Sequence, residues 1–218
     1  MKETADTVAP MSPAAARAGT FRALRHRNFR LLWIGLVISS LVMPMQWLVQ
    51  SWLILQLTHS AFDLGLLGLA RGLPMLIFGL WGGVLADRMD RRQLLIITQG
   101  TAMALVVLLA SLIMAGLVQV WQVFLITFLT GAVQAFDQPT RTALVPDLVP
   151  REDLANAVAL AAVARQVGTA LGPAGGGFLI EAMGMGASYL LLAVGNAVIV
   201  LVLLLMKLPA RSIGAVVR

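Results

Sequence analysis

Five of the six residues from Asp87 to Arg92 are charged: Asp87, Arg88, Asp90, Arg91 and Arg92. They stand between two long apolar runs, one beginning near Phe62 and the other at Leu94. So dense a charged turn cannot lie in hydrocarbon, which places it at a membrane face. Its arginines put that face on the cytoplasmic side. Two further arginines, Arg71 and Arg165, interrupt apolar runs. Arg71 falls about eight residues from the outer end of its run, roughly 12 Å deep at helical rise, and Arg165 about ten residues from the inner end. A guanidinium at such depth faces a cavity or an acidic partner. It can bind an anionic substrate or tune a proton-accepting carboxylate, or it can cap carbonyls freed by Pro74 and Pro173. Both readings are open. Gln46 and Gln50, four apart, share a helix face, and Gln134 lies at the inner end of its run. Amides inside a span either line a water-filled cavity or bond to a neighbouring helix.

Other chemistry is scarce. Cysteine is absent, and His26 and His59 are far apart with no ligand-spaced neighbour, so neither a metal site nor a cofactor is expected. An intramembrane serine protease would need a Gly-x-Ser motif together with a membrane-embedded histidine, a pairing the sequence lacks. The chain is not expected to be an enzyme.

The elements that position these residues follow from composition. Of 218 residues 59% are hydrophobic and only 12% charged, about half the charged fraction of soluble domains. The solvent is therefore lipid. A net charge of +6 would suggest nucleic acid in a soluble protein, but here the arginines flank apolar spans, and nucleic acid is not an expected partner.

Residues 1–20 read as a disordered cytoplasmic tail, and the basic stretch 21–30 as a juxtamembrane helix on an anionic leaflet. Six spans are expected at about 31–57, 64–86, 94–115, 120–135, 154–182 and 189–206, within a bundle covering 21–207. Residues 137–153 read as an ordered, proline-rich inner loop. Residues 208–218 begin a cytoplasmic linker or tail. The second span carries Gly68, Gly72, Gly79 and Gly83 at spacings that let another helix approach closely. The third is nearly all aliphatic and reads as a lipid-facing support. Lys and Arg mark every short inner segment and no outer turn, so both termini are placed inside.

The charged turn also carries a resemblance. Gly83, Leu85, Ala86, Asp87, Arg88, Arg91 and Arg92 match the loop between helices two and three of the major facilitator superfamily. Asp90 stands where that pattern has glycine. Gly168, Gly172, Pro173, Gly176 and Gly177 resemble the fifth-helix signature of superfamily antiporters, with Ala159 in place of an upstream glycine. The Asp-x-Pro-x-Arg run at Asp137–Arg141, followed by Leu-Val-Pro, is similar to the branch of enterobactin exporters and bacterial multidrug and macrolide efflux proteins.

The resemblance implies an all-α membrane protein whose six transmembrane helices form a three-plus-three inverted repeat, one half of a major facilitator fold. The recurring order of an irregular, a glycine-rich and a plain aliphatic span agrees with that. It implies a second six-helix half, on this or another chain, with the substrate path between the halves. Gly83, Asp87, Arg88, Arg91, Arg92 and Asp137 would then gate the cytoplasmic side. Asp87 would face a helix N-terminus of the other half and Arg91 would pair with Asp137. The simpler alternative is that these arginines only fix topology.

The implied function is secondary active export of a small amphipathic compound (a siderophore, macrolide or other drug) across a bacterial inner membrane, coupled to inward proton movement. The alternative is a non-transporting six-span fragment, or a half that works only when paired.

Overall fold

The computed structural model describes residues 21–206, apart from the side chains of Val84, Ala86, Asp87 and Arg88. The expected tail at 1–20, the linker at 208–218, Lys207, and the side-chain roles expected of Asp87 and Arg88 lie outside the described residues. The described residues are helical, with no strand: α1 Arg27–Thr58, α2 Ala61–Arg88, α3 Arg91–Met114, α4 Val120–Leu148 and α5 Leu154–Leu205, with 3-10 turns at Arg22–Arg25 and Arg151–Asp153. Five of these elements are long and apolar enough to cross a membrane, the last counted from Arg151.

The helix ends are chemically marked. Ser60 caps α2 by accepting from the Asp63 amide at 3.3 Å. Asp90 caps α3, its Oδ1 accepting from the Gln93 amide at 2.9 Å, with extended backbone at φ −61° and ψ 115°. Aspartate therefore suits the position where the family pattern has glycine: the turn needs a cap, not a left-handed residue. His59 is left-handed at φ 52° and closes α1 through its amide to the Leu55 carbonyl. Within α5, Gly184 breaks the helical path at φ 74° and ψ 175°. It divides α5 into arms of 154–183 and 185–205, where a six-residue turn at 183–188 was expected.

Helix α4 departs most from expectation. Residues 137–148, expected as a loop, continue the helix through Pro139 and Pro146. Proline removes one amide donor and leaves the carbonyl four residues back without its helical partner. For Pro139 that carbonyl is Ala135, and Gly82 of α2 lies directly against it, so close that a Cβ there would collide with the oxygen. The basic stretch at 21–30 likewise forms a 3-10 turn leading into α1, not a separate surface helix.

Two apolar clusters form the core. One gathers Val49, Ile54, Leu67, Leu109 and Tyr189 towards the end opposite the charged turn. The other gathers Phe29, Leu95, Leu144, Leu160 and Leu203 near the charged turn. Along the helices, the buried polar residues Ser39, Thr98, Gln99, Asp137 and Asn196 fall between them. This polar layer positions the site.

Candidate functional site

Helix α1 is seated on the first arm of α5 by the glycines expected to mark an antiporter-like helix. A Cβ on Gly168 would strike the Ser40 carbonyl, one on Gly172 would sit 2.7 Å from Pro44 Cβ, and one on Gly176 would sit 3.0 Å from the Met45 carbonyl. Gly177 has only ordinary contact, 3.8 Å to Leu48 Cδ2, and Pro173 faces outward. Ser40 Oγ donates to the Ala164 carbonyl at 2.9 Å, tying the same two helices together.

Beside this crossing a cavity of about 410 Å3 opens between α1, α4 and the first arm of α5. Its walls bring together Arg71, Asp137, Arg141 and Arg165 among aliphatic side chains such as Leu36 and Val158. A second chamber of about 20 Å3 lies against Gln46, Gln50 and Gln134. Arg71 and Met43 line both spaces. Gln50 itself is buried and donates through Nε2 to Thr127 Oγ1 at 2.7 Å, joining α1 to α4.

Arg71 caps no carbonyl among the described residues. Its Cζ lies 4.6 Å from the centroid of the Trp47 ring, where the ring's electron-rich face offsets part of the cost of a charge in the bundle. Arg165 faces the cavity, and its guanidinium makes no hydrogen bond or ion pair among the described residues.

Asp137 is 4% exposed and its carboxylate accepts three hydrogen bonds. Oδ1 accepts from Thr98 Oγ1 at 3.0 Å and Gln99 Nε2 at 2.8 Å; Oδ2 accepts from Arg141 Nε at 2.5 Å. The expected pair of Arg91 with Asp137 is therefore not formed. Arg91 reaches instead the Ala143 carbonyl, at 2.5 Å, and Asp147 Oδ2, at 2.7 Å. The reason is the continuation of α4. It puts Arg141 one turn beyond Asp137 on the same face and carries Asp147 on to meet Arg91. Arg92 binds the far end of α5, donating to the Leu203 and Leu204 carbonyls at 3.3 and 2.8 Å. Thr98 and Gln99 make α3 more than an aliphatic support. Arg141 is a cavity-wall residue that was not singled out from the sequence; its i,i+4 spacing from Asp137 was the available signal.

The ridge on α2 makes no close helix contact among the described residues. Gly68, Gly72, Gly79 and Gly83 have open space where a Cβ would stand, whereas Gly82, off the ridge, packs on α4. Leu69, Leu76 and Leu80, all strongly exposed, flank the open ridge.

A family profile whose description reads transmembrane secretion effector matches residues 18–214. The chain belongs to this major facilitator family. Among its relatives, the enterobactin exporter EntS of Shigella boydii serotype 18 is 31% identical over 193 residues, covering 85% of this chain and 44% of that protein. EntS of Salmonella typhi is 28% identical over 185 residues, covering 84% and 45%. The staphyloferrin A transporter of Staphylococcus aureus is 27% identical over 131 residues, covering 60% and 33%. The chain thus spans less than half the length of these curated relatives. With its run of long apolar helices, the chain is a multi-pass membrane protein.

Proposed function

We propose that the chain is the first six-helix half of a proton-coupled exporter of small amphipathic compounds, siderophores foremost, in a bacterial inner membrane. The observation that carries this reading is the cavity walled by Arg71, Asp137, Arg141 and Arg165 in a chain related to siderophore transporters. Counting the two arms of α5 separately makes six crossings, with both termini on the arginine-rich, cytoplasmic side. The inverted repeat is supported by a device used twice: a proline-freed carbonyl on the first helix of each repeat (Ser40 in α1, Ala135 in α4) receives a glycine from the second helix of the other repeat (Gly168, Gly82). Arg71 and Arg165 lie about equally far into their helices, which fits the same symmetry.

A second half is supported by the open ridge of α2. Glycines offer lipid little apolar surface but let another helix approach closely. In this reading Gly83, Asp87, Arg88, Arg91, Arg92 and Asp137 gate the cytoplasmic side where the halves meet. Efflux through everted membrane vesicles is the test. With the chain and its second half present, adding a siderophore should dissipate an imposed proton gradient, and Asp137→Asn should abolish the response. Gradients that ignore every siderophore and drug offered would refute the export reading.

A further inference from the structure

Arg141 holds a position that its own chain does not complete. Its Nε is fixed by Asp137 Oδ2, while Thr98 and Gln99 hold the other oxygen, Oδ1. The residue is 8% exposed, and both terminal nitrogens, Nη1 and Nη2, are buried without a hydrogen-bond partner among the described residues. A guanidinium left half-paired inside a helix bundle is costly, and the cost falls when an oxyanion meets its free fork. Arg141 lines the cavity, as do Arg71, which rests on an aromatic face, and Arg165, which has no ionic partner among the described residues. Three guanidiniums face one carboxylate there, and the remaining walls are largely aliphatic.

We propose that the cavity binds an amphipathic organic anion, and that Arg141 is the residue that grips its oxyanion. Asp137 acts as the positioning residue. It pins Nε and with it the guanidinium plane, leaving Nη1 and Nη2 as a fixed fork for two oxygens of one planar group, a geometry that arginine matches and lysine does not. Arg165 and Arg71 add charge along the wall, while the aliphatic surface takes the apolar body of the ligand. A cation of the same size is repelled. This inference shares with the export reading only the premise that the cavity is a ligand site.

The test uses the 218-residue chain in phosphatidylcholine nanodiscs and equilibrium dialysis with salicylate and its neutral analogue salicylamide. Salicylate should bind saturably and at least about tenfold more tightly than salicylamide. Arg141→Gln should lower salicylate to the level of salicylamide, and Arg141→Lys, which keeps the charge but not the fork, should fall between. Arg30→Gln, on the exposed start of α1, should leave the preference intact. Equal binding of the two compounds by the unaltered chain overturns the proposal with no variant involved. A preference that survives Arg141→Gln overturns the assignment to Arg141. The vesicle assay separates this inference from the export reading. Anion-selective binding without ligand-driven proton movement leaves the anion site standing and removes the exporter; proton-coupled export indifferent to ligand charge does the reverse.

Discussion

Gly168 lies against the backbone carbonyl of Ser40, the carbonyl that Pro44 deprives of its helical donor. Two local defects, a proline in one helix and a glycine in another, are thereby joined into one close crossing. The α1–α5 contact depends on a glycine at that position. Gly168→Ala should destabilise the bundle by about 1–3 kcal/mol through overpacking, whereas Gly177→Ala, whose Cβ would meet only Leu48 at 3.8 Å, should be neutral or slightly stabilising. Unfolding in a mild detergent titrated with dodecyl sulfate measures both. Equal tolerance of the two changes would contradict the crossing.

The buried Asp137–Arg141 pair should behave as a unit. Removing either partner leaves an uncompensated charge in the bundle. Asp137→Asn alone should therefore cost about 3–5 kcal/mol, and Asp137→Asn combined with Arg141→Gln should cost less than the sum of the two single changes. A double-mutant cycle in the same unfolding assay checks this. Strict additivity would mean that the two side chains do not depend on one another.

Asp153, 4% exposed, holds the start of the chain to the start of α5. It contacts His26 Nε2 and Arg22 Nε, each at 3.0 Å, and beside it the Ala23 amide donates to Asn156 Oδ1 at 3.1 Å. Asp153→Ala should release this segment. Hydrogen exchange at Ala23 should then rise about tenfold or more, the equivalent of 1.4 kcal/mol, with exchange in α3 unchanged. Unaltered protection at Ala23 would show that the ion pairs contribute nothing there.

The orientation can be read by labelling, because the chain has no cysteine of its own. With Met89→Cys and Leu117→Cys introduced singly, an impermeant maleimide added to intact spheroplasts should modify position 117, which is 64% exposed, and spare position 89. The reverse pattern would invert the topology and remove cytoplasmic gating.

Much of this protein could be read from residue order alone, because membrane insertion is governed by local composition. The length of each apolar run, the arginines at its ends and the glycines and prolines within it are one-dimensional properties, and the bilayer converts them directly into helices. The turn at Met89–Asp90 and the seating glycines Gly168, Gly172 and Gly176 were legible for that reason. Polar partnership was not, because it depends on how far each helix runs and which face it turns. The continuation of α4 through Pro139 moved Asp137 from a presumed loop into the buried layer, gave it Arg141, Thr98 and Gln99, and left Arg91 to Asp147. Packing also separated Gly82, pressed on the Ala135 carbonyl, from the ridge glycines beside it, which stand open. Neighbours along a sequence can differ this completely because one helical step turns the side chain by about 100°, and only the placement of the other helices decides what it meets.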